Sequence, residues 1–155
     1  MLSISADKID SLFESIASSY NLYLPVDNES GKAEFEQWEK GKKLSSALKT
    51  VRSAKDFFFP KVENLVNYKR EGKSITVVDP RKDLGDFVVF GVRACDVKSF
   101  EILDRVFLTE PYDSYYANKR EHGIIISMAC TRPSETCFCQ TFGIDATNPD
   151  GDITC

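Results

Sequence analysis

Asp86-Phe-Val-Val-Phe-Gly-Val92 is a near-continuous apolar run, and Gly123-Ile-Ile-Ile-Ser-Met-Ala129 is a second. Runs of this kind read as strands buried on both faces, the condition of parallel strands covered by helices. Between them, Asp96 to Arg105 carries Val97, Phe100, Ile102 and Leu103, with Val106 just beyond, in a largely helical stripe. Ser114 to Glu121 reads as a further short helix. Strand, helices and strand within about 40 residues predict a parallel βαβ unit with a right-handed crossover.

Upstream, residues 5–20 predict an amphipathic helix. Ser5 is its candidate cap, Asp7 lies in the first turn, and Ile9, Leu12, Phe13, Ile16 and Ala17 follow helical spacing. Leu22 to Val26 reads as a strand, and Asp27-Asn-Glu-Ser-Gly31 as a turn. Ala33 to Trp38 then pairs back as another strand. Residues 39–55 hold Lys40, Lys42, Lys43, Lys49, Arg52 and Lys55, which reads either as a solvated connecting face or as a docking patch for an acidic partner. Phe57-Phe-Phe-Pro60 fits neither a helix nor an alternating strand; Pro60 favours an extended Phe59, and the run reads as an aromatic plug. Lys61 to Tyr68 is a short helix or a strand, and Ser74 to Val78 a strand ended by Asp79-Pro80. The expected fold is α/β: a small mixed sheet with a parallel βαβ unit in the C-terminal half and an N-terminal amphipathic helix.

Residues 1–155 are expected to form one α/β domain, since a chain of this length buries an adequate core. Hydrophobic residues make up 42% and charged residues 28%, values of a globular chain. A net charge of −4 lacks the basic footprint of a nucleic-acid binder. No apolar run approaches the ~18 residues of a membrane span. The N-terminus has acids where a signal peptide would be apolar, so a cytoplasmic location is expected.

The cysteines are Cys95, Cys130, Cys137, Cys139 and Cys155, with none in the first 94 residues. Clustering of this kind in a cytosolic chain suggests metal binding or redox chemistry. Cys95 follows one predicted parallel strand and Cys130 the other, and the carboxyl edge of an open α/β sheet is where ligands bind. Neighbouring strands lie about 4.8 Å apart, so both loops leave the sheet side by side. Cys95 also starts a predicted helix, whose dipole favours a thiolate. Thr131-Arg-Pro-Ser-Glu-Thr-Cys137 is a polar loop able to return Cys137 and Cys139 toward Cys130. Cys95, Cys130, Cys137 and Cys139 are thus the candidate cofactor and metal ligands. Four thiolates suit a [4Fe-4S] cluster or a structural zinc; a disulfide role and simple burial remain open beside them. Cys155, the last residue, reads either as an alternative ligand or simply as a terminal residue. Arg93 and Arg132 flank the strand ends and either balance the negative charge of a thiolate-ligated cluster or make surface ion pairs; Asp96 reads as a helix cap and His122 as a helix-end residue. No nucleotide-binding glycine loop or hydrolase motif is present, and no catalytic residue is assigned.

Several motifs occur together and in order: Phe57-Phe-Phe-Pro60 with Glu63 and Leu65, Gly91-Val-Arg-Ala-Cys-Asp96, Leu103-Asp-Arg-Val-Phe-Leu108, Asp113-Ser-Tyr-Tyr116 with Arg120, then Cys130-Thr-Arg-Pro133 with Cys137-Phe-Cys139. From about residue 55 to 145 the chain resembles the beta (iron–sulfur) subunits of soluble nickel–iron hydrogenases of the sulfhydrogenase type, and the corresponding subunit of anaerobic sulfite reductase. The resemblance implies an electron carrier between two partners: a flavin-containing NAD(P)H-oxidising subunit, and a catalytic hydrogenase or sulfite reductase subunit. Members of that family also carry a C-terminal dicluster ferredoxin domain. This sequence has no such cysteine runs, so it is expected to be the N-terminal part of a longer iron–sulfur subunit or a separate short protein. The alternative expectation is a metal-free scaffold that docks the ferredoxin domain and partner subunits.

Overall fold

The structure, a computed structural model, describes residues 3–155. Met1 and Leu2, which head the stretch judged unlike a signal peptide, lie outside the described residues. A 3-10 turn at Ala6–Lys8 leads into α1 (Ile9–Ala17). Then follow β1 (Asn21–Asp27), β2 (Ala33–Gln37), β3 (Asn67–Glu71), β4 (Ser74–Val78), β5 (Phe87–Val92), α2 (Ala94–Phe107), α3 (Ser114–His122), β6 (Gly123–Ser127) and β7 (Ile153–Thr154). The main sheet has the order β2-β1-β5-β6-β7. β1, β5, β6 and β7 run parallel, and β2 returns antiparallel to β1 at the edge. The mixed sheet, the βαβ unit and the N-terminal helix therefore stand as expected.

β5 is central, and all six of its residues are buried, which explains its lack of polar alternation. Phe87 and Val89 face a core built with Phe58, Val97, Phe100 and Tyr116, beneath α2 and α3. Val88 and Phe90 face the opposite core, with Phe13, Leu22, Leu24 and Ile126, beneath α1. Strict alternation would put Val92 with Val88 and Phe90. It lies instead in the α2 core, because the pairing with β6 skips Gly91. Gly91 has φ +83°, and a Cβ there would stand 3.2 Å from Pro25 Cδ. Glycine accepts this bulge without steric cost. The bulge sits just before Arg93 and Cys95 and so sets how the chain leaves the sheet.

The phenylalanine run is a plug, as its composition suggested. Phe58 is fully buried, with ring centroids 5.3 Å from Phe87 and 4.9 Å from Phe100. Phe59, half exposed, stacks on Phe107 at 4.7 Å. The Arg120 guanidinium lies 5.4 Å from the Phe58 ring and also donates to Asp104 through Nε at 2.9 Å. Tyr116 Oη donates to the same carboxylate at 2.6 Å, so Asp104, Tyr116 and Arg120 pack α2 against α3.

Three local readings need correction. Ser5 does not cap a backbone N–H; its hydroxyl bonds the Asp7 carboxylate. Asp96 is no cap either, because it lies inside the first turn of α2 and accepts from Ser53 and Lys55. Lys61 to Tyr68 is mostly irregular, and only its end enters β3. β3 and β4 form a separate antiparallel hairpin, and the irregular stretch before it is tied to α3 by Tyr115 Oη on the Leu65 carbonyl and by Lys119 on Glu63.

Gly123 tests the core at the start of β6. A Cβ there would lie 2.3 Å from Phe58 and 2.6 Å from Phe87. Gly123→Ala is expected to cost about 1–3 kcal/mol by overpacking, read as a lower urea midpoint with an unchanged slope. An unchanged midpoint would contradict this packing.

Candidate functional site: the cysteine edge

β5 and β6 pair from Phe87↔Gly123 through Val92↔Ser127, so the two strands end together. The Met128 N–H continues the contact to the Val92 carbonyl at 2.8 Å. Cys95 is the second residue of α2, and Cys130 comes three residues after the end of β6. Both predicted strand ends thus deliver a cysteine to the carboxyl edge.

The segment after Cys130 folds as a polar loop. Ser134 and Cys137 close a turn through Cys137 N–H to Ser134 O at 3.0 Å. A short 3-10 turn, Cys139–Phe142, follows and ends at Gly143 with φ +64°. The chain then comes back past Cys130, whose N–H donates to Ala146 O at 2.8 Å. The result is an open cavity of about 720 Å³, walled by Cys130, Arg132, Cys137, Cys139, Ile144 and Thr147 among others. Cys95 stands outside that wall, close enough to Cys139 and Cys130 for their charges to disfavour its ionisation. Phe138 and Phe142 are exposed on the same loop, with centroids 5.5 Å apart.

The thiols differ in their electrostatics. Burial, then the adjacent Asp96 carboxylate, then Cys139 and Cys130 push the Cys95 pKa up. Its position at a helix N-terminus predicts the opposite; desolvation of the sulfur and the neighbouring anions outweigh the dipole, although the residue as a whole is exposed. Burial likewise raises Cys130, against the opposing charge of Arg93. Cys137 moves the other way. The Ser134 hydroxyl and backbone N–H both meet its sulfur at 3.3 Å and favour the thiolate.

Arg93 has a structural task that the sequence did not reveal. Its guanidinium donates to Ala129 O at 3.1 Å and Ala47 O at 3.3 Å, fastening the end of β6 to the basic segment. Arg132 lines the cavity. His122 lies away from this edge, where Nδ1 meets the Asp86 carboxylate at 2.6 Å at the amino ends of β5 and β6. Cys155 reaches the carboxyl edge through β7: its N–H donates to Ser127 O and its carbonyl accepts from Ala129. Burial raises its pKa. A two-residue strand carries no periodicity, so β7 was not readable beforehand. Ser134 was missed as well, although Pro133-Ser134 is an ordinary turn signal.

The donor set fits an iron–sulfur cluster in kind: thiolates only, with cations and an N–H donor nearby. As the side chains stand, no three Cys, His, Asp or Glu groups among the described residues are gathered closely enough to hold a metal ion. No described helix is long and apolar enough to cross a membrane.

Thiols alkylate as thiolates, so the pKa order has a direct readout. In the metal-free chain at about pH 8, Cys137 is expected to label with iodoacetamide before Cys95 and Cys130. Its rate should rise through a midpoint below that of an ordinary cysteine, and Ser134→Ala should move that midpoint up. Peptide mass mapping that finds Cys95 labelled first would contradict the order.

Among known proteins, sulfhydrogenase 2 subunit beta of Pyrococcus furiosus is 36% identical over 97 residues. The match covers 63% of this chain and 27% of the relative, so the chain spans about a quarter of that subunit's length. No family profile and no solved structure matches. The likeness supports the resemblance drawn from the ordered motifs: this chain is similar to a hydrogenase beta subunit.

Proposed function

We propose that residues 1–155 act as one electron-transfer module of a hydrogenase or anaerobic sulfite reductase complex, holding a [4Fe-4S] cluster on Cys95, Cys130, Cys137 and Cys139. The observation that carries this reading is that Cys130, Cys137 and Cys139 wall one open cavity at the carboxyl edge together with Arg132, with Cys95 just outside it and Arg93 near Cys130. The named relative is a subunit of a sulfhydrogenase, which supports a place in a multi-subunit oxidoreductase. The partners proposed are a flavin-containing NAD(P)H-oxidising subunit on one side and a catalytic subunit on the other, in the cytoplasm.

When bound, the cluster stores and releases single electrons. The chain's own residues do the rest. The parallel strand ends hold Cys95 and Cys130 on rigid elements. The polar loop of residues 131–138 carries Cys137 and has to close further for all the thiolates to share one group. Ser134 meets the Cys137 sulfur with its hydroxyl and its backbone N–H and shifts it toward the thiolate, the form that a metal would take up. Arg93 opposes the negative charge that accumulates beside Cys130.

The β3–β4 hairpin favours the second reading, a docking scaffold. Tyr68 and Val77 pair across it, and Ile75 lies on the same face; all are well exposed. An isolated two-stranded hairpin is marginal in water, and an apolar face of this kind marks an interaction surface.

Anaerobic reconstitution with iron and sulfide separates the readings. The cluster reading expects a brown protein with about four irons per chain, matched by sulfide. Cys137→Ser should lower that iron content. A folded chain that stays colourless, without iron, would overturn the cluster reading in favour of the scaffold, and stoichiometric zinc would replace it with a structural metal site.

A further inference from the structure

The β3–β4 hairpin is fixed at its base and bare on its face. The stretch that enters it is held to α3 by Tyr115 Oη on the Leu65 carbonyl and by Lys119 on Glu63. The stretch that leaves it is held to the same helix: Arg81 Nη1 donates to Ser114 Oγ at 2.7 Å, and its guanidinium lies 4.7 Å over the Tyr115 ring. Between these clamps every residue of β3 is exposed, and in β4 only Val78 is half-buried. Register sorts the side chains. The pairs Tyr68↔Val77 and Arg70↔Ile75 share one face, and Lys69, Glu71, Ser74, Thr76 and Val78 take the other. The first face carries three apolar side chains, Tyr68, Ile75 and Val77, which are 65–75% exposed. Arg70 is its one charge. Among the described residues Arg70 meets no carboxylate, and its Nε donates to the Gly72 carbonyl at 3.0 Å. Lys69, on the opposite face, is paired with Glu71 at 2.9 Å.

We propose that this face docks a different protein subunit, one that covers Tyr68, Ile75 and Val77 with apolar side chains and sets a carboxylate against Arg70. This rests on the docking reading and not on the cluster. Tyrosine and arginine within an apolar patch are the residues that carry most binding energy in protein interfaces. A guanidinium accepts a carboxylate as a two-pronged partner, which fixes the register of the contact. A second copy of this chain, meeting face to face, lacks that carboxylate. Two-fold contact lays the same patch on itself, so the only charge offered to Arg70 is another Arg70. A lipid surface fits no better, because the tip of the hairpin is Glu71-Gly-Lys-Ser74, and charged residues resist burial in hydrocarbon. The two clamps on α3 hold the face in one orientation, so binding orders little chain.

Lys69 supplies the control, because Lys69→Glu makes the same charge change one residue away on the opposite face. The test isolates the tagged chain with its bound subunits from its own host, as wild type, Arg70→Glu and Lys69→Glu, and quantifies each subunit by mass spectrometry. A fourth form carries a photo-reactive benzoylphenylalanine at position 68. The expected result is a loss of about tenfold or more of one subunit with Arg70→Glu, and retention of it with Lys69→Glu. The position 68 probe should link to that same subunit beside an Asp or Glu, and changing that acid to Lys should restore binding to Arg70→Glu. Melting curves of the free variants should coincide, since this face touches no core. Full retention in Arg70→Glu, or equal loss in Lys69→Glu, would overturn the inference while leaving docking through another surface intact. Links from position 68 to a second copy of the chain would overturn it in favour of a homodimer. Sedimentation of the wild type with phosphatidylserine vesicles, lost in Arg70→Glu, would overturn it in favour of a membrane. A wild-type chain that isolates alone would overturn both the inference and the docking reading.

Discussion

β5 and β6 lie side by side and point the same way, and the chemistry of the cysteine edge depends on that pairing. A parallel pair must be joined by a crossover, here α2 and α3, which covers one face of the sheet. The crossover then forces both strand ends to one edge. Cys95 and Cys130 are 35 positions apart in the chain, yet their elements end beside each other. The Gly91 bulge adds a local constraint: it turns Val92 into the α2 core, so Arg93 and Cys95 leave the sheet in a fixed direction. Phe58, wedged against Phe87 and Phe100, holds the crossover onto the strand.

Much of this was legible because burial on both faces leaves a mark in composition. β5 and β6 read as apolar runs, α1 as a stripe, and the phenylalanine run as a plug, each for a reason the structure keeps. The features that escaped are those without local periodicity. β7 is only two residues long and exists because Ser127 and Ala129 offer backbone partners. The basic segment over residues 47–55 reads as a polar connector, since its contacts to Thr136, Arg93 and Asp96 are distant in sequence. Helix polarity alone suggested a favoured thiolate at Cys95. Its partly desolvated sulfur and the next-door Asp96 reverse that, and neither effect can be weighed without knowing what packs there.

The electrostatics of the edge are consequently uneven. Burial and mutual repulsion hold Cys95 and Cys130 toward the neutral thiol, whereas Ser134 and Lys49 hold Cys137 toward the thiolate. A bound metal reverses such repulsion, because its positive charge drives deprotonation of every ligand thiol. The arrangement therefore favours the thiolate most at Cys137 on the exposed loop, and a metal bound at this edge would draw the other thiols toward ionisation. Arg93 contributes from the strand end, where it both balances charge at Cys130 and ties β6 to the basic segment.

The central claim is that these cysteines hold one iron–sulfur cluster at the carboxyl edge of the sheet. Iron K-edge X-ray absorption on the anaerobically reconstituted chain addresses it most directly. The account predicts iron surrounded by sulfur alone, with iron–iron scattering from a compact cluster, and loss of that scattering in Cys130→Ser. Iron bound only through oxygen or nitrogen, or the same scattering in the Cys130 variant, would contradict it.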